Sequence, residues 1–387
     1  MLRWLGIGCV AGMMAVVVAA GCSRQDSSGG TGASASGVPA CCASAEAAKP
    51  LKQAEALVQL PDEVNTPDGM CLLADGSVLV SAPNINDESQ PALILRLTPD
   101  NKLEKFYDPP KHPDTGKAYP FGICVDPQSG DVYYADLQWF AEKKPNWKSR
   151  VMRIAMRDGK PGEAVVFASG MVVANAVVVR DGYLYVSDTM MVPDSKPLLT
   201  GVYRIKLDEE GVELSKPLEK DPHLIATMET HNPTVPFGAD GMCFDARGNL
   251  YVGNFADGTL HRIEFDAQGN PTTERPAPVW AKAPMMKSCD GLFYDTENDR
   301  ILVADSLANA VQIVTPDGRV ACLAQEPTDD GADGKLDQPC EVLIRGNEVI
   351  VSNFDMPVEG GVNQTFEVPN FLSVIRLDQS GNPGRTE

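Results

Sequence analysis

A cassette that returns about every fifty residues constrains this chain more than any other feature in it. Asp68-Gly69-Met70-Cys71 runs through a Gly-containing turn into Val78-Leu79-Val80-Ser81, and Asp240-Gly241-Met242-Cys243 runs through Gly248 into Leu250-Tyr251-Val252. Both read as β-hairpins. Related cassettes begin at Phe121, Asn175, Asp290 and Glu341, so the six starts are spaced by 53, 54, 65, 50 and 51 residues. Further β-like runs follow most hairpins, such as Ala92–Leu97, Gly201–Ile205, Ala310–Val314 and Leu372–Leu377. Four short strands per unit make a blade that cannot bury both faces alone, and ring packing supplies the core. The spacing therefore predicts an all-β six-bladed β-propeller of four-stranded blades over residues 51–380, with 381–387 as a tail. Residues 51–60 would add a strand to the last blade. The longest gap leaves room for a loop through Glu229–Pro233 that could shape a pocket.

The N-terminus stands apart from this repeat. Met1-Leu2-Arg3-Trp4 is a short basic start, and the apolar run Leu5–Ala20 has the length of a signal peptide. It ends in Ala19-Ala20-Gly21-Cys22, which resembles a bacterial lipoprotein box. The expectation is a signal peptide over 1–21, lipidation at Cys22 and a Ser/Gly/Ala-rich tether over 22–50. That places the protein at a bacterial cell envelope, membrane-bound through its lipid anchor alone, on the periplasmic side or the cell surface. Export permits disulfides among the eight cysteines other than Cys9 and Cys22, with no pairing readable. A net charge of −20 argues against a nucleic-acid partner, whose phosphates require a basic footprint.

Equivalent positions in a propeller form rings, so the leading residues Asp68, Phe121, Asn175, Asp240, Asp290 and Glu341 should gather at one mouth of the channel. Crowded carboxylates raise one another's pKa unless a cation intervenes. All-oxygen ligands suit a hard divalent ion, Ca²⁺ first and Mg²⁺ or Mn²⁺ as alternatives. The bland reading is that Asp-Gly merely shapes strand entry. A second ring, Asp136, Asp188, Asn254, Asp305 and Asn353, reads as turn-capping.

At this level the sequence resembles the senescence marker protein/gluconolactonase (regucalcin-like) family of six-bladed propellers. The specific stretch is Gly238–Val252, continuing through Asp257-Gly258 into His261-Arg262-Ile263, with Asn175 and Leu184–Asp188 as a second match. The resemblance implies one catalytic divalent cation held by Asp68, Asn175 and Asp240, with Asp68 standing where the family has Glu. Asp240 would also be the catalytic carboxylate, while Asp290 and Glu341 are further candidate ligands. The family's polar substrate contacts in the second blade are absent here, where Ala118-Tyr119-Pro120-Phe121-Gly122 stands, and Trp139, Phe140 and Trp147 follow.

Two functional classes remain open on the sequence. One is a metal-dependent hydrolase acting on a small-molecule lactone or ester, with Asp240 as general base and His231 as a candidate proton shuttle. No Gly-x-Ser-x-Gly elbow is present to make a serine hydrolase. The other is a non-catalytic propeller that binds an envelope partner, with or without a structural cation.

Overall fold

Strands whose side chains point alternately to two sides need cover on both, and in this protein six small sheets cover one another around a ring. The computed structural model describes residues 51–327, 331–358 and 360–378. The leader, Cys22, the tether with Cys41-Cys42 and residues 381–387 lie outside them. Blade 1 consists of Met70–Leu72, Val78–Ala82, Leu93–Leu97 and Leu103–Tyr107, paired antiparallel in chain order. Blade 2 begins at Pro120–Val125, blade 3 at Ala174–Arg180, blade 4 at Ala239–Phe244, blade 5 at Leu292–Asp295 and blade 6 at Pro339–Arg345. These innermost strands contact one another in sequence, and that of blade 6 meets that of blade 1.

Blade 6 is completed from the other end of the described chain: Ala54–Gln59 pairs antiparallel with Phe371–Arg376. The core lies between blades, as where Leu79 and Ile94 of blade 1 meet Ile123, Tyr134 and Met152 of blade 2. Much of the long spacing before blade 4 is spent at the outer edge. There Val212–Glu213 adds a parallel fifth strand to Lys160–Met171 of blade 2. Among the described residues no helix is long and apolar enough to cross a membrane. Cys71, Cys124, Cys243, Cys289, Cys322 and Cys340 are all free thiols, five of them buried, so the described cysteines make no disulfide.

The glycines after four of the leading residues, Gly69, Gly122, Gly241 and Gly291, have a purpose other than turning the chain. A Cβ on Gly241 would lie 2.1 Å from the Asp290 carbonyl oxygen and 2.8 Å from Gly291 Cα. Gly69 faces Gly122 Cα in the same way. Hydroxyls then tie blade to blade: Ser81 donates to the Phe121 carbonyl, Thr189 to that of Ala239, Ser306 to that of Pro339 and Ser352 to that of Asp68.

The second ring does cap turns. Asp188 accepts from the Val172 and Val173 amides, Asp305 from Lys287 and Ser288, Asp136 from Tyr119 and Asn353 from Asp337. Asn254 accepts instead from the Thr230 hydroxyl and donates to the Glu229 carbonyl. Blade 1 has its own version, with Asn84 accepting from the Asn65 amide.

Gly241→Ala should therefore destabilise the propeller by about 3 kcal/mol, at the upper end of overpacking penalties. Gly182→Ala, at a left-handed turn with open space around it, should lose only about 1 kcal/mol. Urea unfolding followed by circular dichroism measures both, and equal losses would discard close approach as the role of Gly241.

Candidate functional site

Strand register decides which residues form the ring. Met70 pairs with Val80, Ile123 with Tyr134, Val177 with Val186, Met242 with Val252, Leu292 with Val303 and Val342 with Val351. The residues two places earlier are Asp68, Phe121, Asn175, Asp240, Asp290 and Cys340. The sixth ring position is therefore Cys340, one residue before the predicted Glu341. Glu341 falls where blades 1, 2, 4 and 5 have glycine, because the apolar pairing of Val342 with Val351 sets the register. Its Oε1 lies 2.2 Å from where a Cβ on Gly291 would stand, and it accepts from the Val342 amide at 2.9 Å.

Asp68, Asn175, Asp240 and Asp290 line one pocket at the mouth, with Phe121 beside them. Its enclosed space is small, about 80 Å³, inside a wider opening that counts about 610 Å³ with open solvent included. Cys340 and Glu341 do not line it. Its walls are apolar: Phe121 stacks on Phe140 with centroids 5.6 Å apart, and Phe354 leans on Phe121 at 5.9 Å. Trp139 meets both Phe140 and Phe237 edge-on, which fixes the two rings that reach the pocket. Trp147 lies exposed under Lys216. His231 is exposed too, its amide bonded to Asp257 and its ring 3.7 Å from Glu229, and it does not line the mouth pocket.

Sequence reading missed part of this wall. Leu137, Phe255 and Phe354 each follow a second-ring residue by one, and Val173 and Gln338 each precede an inner strand by one. The repeat itself carried that signal, one position away from the residues it highlighted.

The electrostatics of the floor are one-sided. Burial raises Asp68 to about 7, against which hydrogen bonds from the Gly69 amide and the Cys340 thiol act. Burial, then Asp68 and Glu341, hold Asp240 well above the usual carboxylate range. Burial, then Asp240 and Asp68, do the same to Asp290, whose Oδ2 accepts from the Ser306 hydroxyl at 2.8 Å. Glu341 is likewise raised by burial and by Asp68 and Asp290. Among the described residues no cation figures in any of these shifts.

Three carboxylates and an amide facing one pocket without a counter-charge suit a hard divalent cation. Asp68, Asp240 and Asp290 do not, however, bring three oxygens within 4.8 Å of one another. Opposed ligands of one Ca²⁺ stand about 4.8 Å apart, so as they stand these three cannot all serve one ion.

Fold and site together define a six-bladed propeller with an acid-floored, aromatic-walled mouth. No protein-family model matches the chain, and no curated protein sequence matches it. Among solved structures it is similar to a gluconolactonase from Xanthomonas campestris, with TM-score 0.52, 14% identity, and coverage of 84% of this chain and 90% of that one. It is similar to a calcium-binding regucalcin from Agrobacterium tumefaciens, with TM-score 0.52, 14% identity, and coverage of 87% and 96%. A glucose dehydrogenase gives TM-score 0.55 at 13% identity, covering 84% and 99%. At such identities the shared property is the fold, and the family that the sequence resembles is represented among these neighbours.

The raised carboxylates make a pH prediction. An acid whose folded pKa lies above its unfolded value adds stability at low pH and loses it as pH rises towards the folded pKa. In chelator, Asp68→Asn should match the wild type near pH 4 and exceed it near pH 8 by roughly 2–4 kcal/mol. Thermal unfolding at both pH values measures this, and a pH-independent difference would contradict it.

Proposed function

We propose that this protein is a divalent-cation-dependent hydrolase of lactone or ester type, working at the mouth pocket. The observation that carries the reading is the pairing of Asp68, Asn175 and Asp240 on one pocket floor without a counter-cation. Asp68 and Asn175 would hold the ion together with Asp240, Ca²⁺ being the preferred ion. A bound cation supplies polarisation of the scissile carbonyl and charge stabilisation for the oxyanion that forms there. Asp240 takes a proton from the attacking water as the new C–O bond forms. It returns that proton to the departing alkoxide as the acyl C–O bond breaks. Asp290, steadied by Ser306, keeps the floor acidic beside it.

The walls choose the substrate. Phe121, Phe140, Phe237, Phe255 and Phe354 leave little polar surface for sugar hydroxyls, and the Gln338 amide is the polar group among the upper lining residues. Burying hydroxyls without partners is unfavourable, so an aryl or alkyl lactone or ester suits this pocket better than a sugar lactone. We place this activity at the cell envelope through Cys22. Cys22→Ser should move the protein out of the membrane fraction, as fractionation and immunoblotting would show.

Turnover of a panel of apolar lactones and aryl esters should require added Ca²⁺, Mg²⁺ or Mn²⁺ and vanish in chelator. Asp240→Ala should lower kcat at least about 100-fold, the lower range for general-base loss, without lowering the unfolding midpoint of the metal-free protein. Full turnover by that variant would remove Asp240 from the mechanism. Stoichiometric ion binding without turnover on any substrate would instead favour a binding propeller with a structural cation.

A further inference from the structure

Blade 6 brings together a second acidic group, away from the ring. Asp337 precedes the inner strand Pro339–Arg345, while Asp355 and Glu367 lie in the connection between Glu348–Asn353 and Phe371–Arg376. One oxygen from each comes within 4.8 Å of the other two. That is the span across a single Ca²⁺ with bonds of about 2.4 Å. Asn363 spends its amide nitrogen on two of these carboxylates, at 2.7 Å from Asp337 Oδ1 and 2.9 Å from Asp355 Oδ1. The Glu367 amide and Asn370 Nδ2 approach Asp355 Oδ2 at 3.0 and 3.2 Å.

Two further acceptors point to a missing positive partner. Glu367 Oε2 is buried and receives no hydrogen bond. Asn370 is 5% exposed, its amide stands on Asp355, and its Oδ1 is buried and receives no hydrogen bond. Buried acceptors left without a donor are costly and uncommon, and here both adjoin the same carboxylates. A bound cation would satisfy them together.

We propose that Asp337, Asp355 and Glu367, joined by Asn370 Oδ1, bind one hard divalent cation in the loops of blade 6, separate from the channel mouth. The donors are all oxygens, without His or Cys, which excludes a soft-metal site. A cage made wholly of protein oxygens suits Ca²⁺ over Mg²⁺, which dehydrates reluctantly. The site has a structural consequence for the mouth pocket. Asp337 adjoins Gln338, and Asp355 lies between Phe354 and Met356, all three of which line that pocket. The Gln338 side-chain oxygen accepts from the Met356 amide at 2.5 Å. A cation here fixes the blade 6 wall of the pocket without touching its floor.

The test uses the full-length chain and Ca²⁺ alone, with bound ion counted by equilibrium dialysis. The Asp68→Asn/Asp240→Asn variant, which disables the channel set, should still bind about one Ca²⁺ per chain. In that variant Ca²⁺ should slow chymotrypsin cleavage at least tenfold after the exposed Phe366. Asp355→Asn/Glu367→Gln should lose both the ion and the protection. Asn tolerates the left-handed backbone of residue 355, where φ is 50°. If circular dichroism shows that pair unfolded, Glu367→Gln alone should weaken Ca²⁺ binding at least tenfold. The proposal is overturned if the channel variant binds no Ca²⁺, if its blade 6 loops are cleaved equally fast with and without Ca²⁺, or if the blade 6 variants bind as tightly as their parent. Because the ion is counted with the channel set disabled, loss of the hydrolase reading leaves this outcome untouched.

Discussion

Innermost strands packed backbone against backbone are the constraint on which this propeller depends. Where Gly69 meets Gly122 and Gly241 meets Gly291, there is no room for a side chain. That closeness lets the Ser and Thr hydroxyls of one blade reach carbonyls of the next. It also sets the place of the preceding residue. With the strand held so near its neighbour, Asp68, Asp240 and Asp290 are delivered to a common mouth. The Asp-Gly pair is thus one device with two parts, a glycine for packing and a carboxylate for chemistry.

How much of this could be read in the sequence follows from what repeats. Blade number, hairpin order and the capping second ring were legible because each cassette states them again; the repeat also gave the leading residues, and the family resemblance singled out Asp68, Asn175 and Asp240 among them. The sixth ring position was not. Glu341 drew attention as a carboxylate, whereas the register follows the apolar pairing of Val342 with Val351 and so selects Cys340. The blade 6 cluster was invisible for a different reason: Asp337, Asp355 and Glu367 occur once, in connections whose path no periodicity reports. The extra residues before blade 4 left room for a loop through Glu229–Pro233 that could shape a pocket, and Glu229, His231 and Asn232 do line a surface pocket with Asp257 and His261. Much of that length went to an added outer strand, because the edge of blade 2 offered unpaired backbone.

The mouth joins two environments that oppose each other. Aromatic rings exclude water and so make each buried carboxylate below them harder to ionise, as the raised positions of Asp68, Asp240 and Asp290 show. A fold selected only for stability would not retain such a floor. Sites keep unfavourable arrangements when the surrounding framework can carry them, and a ring of interlocked blades is a framework of that kind.

The clasp between Ala54–Gln59 and Phe371–Arg376 has a consequence for how the chain comes to be folded. Its two halves lie more than three hundred residues apart, and bringing such distant ends together costs roughly 5 kcal/mol in chain entropy, growing only logarithmically with length. Distance is therefore a modest obstacle, but order of synthesis is a strict one. The first of the described strands to be made is among the last to find its partner, so a growing chain carries an unpaired edge until its final blade emerges. A ribosome releasing this protein early would leave five blades and an open seam.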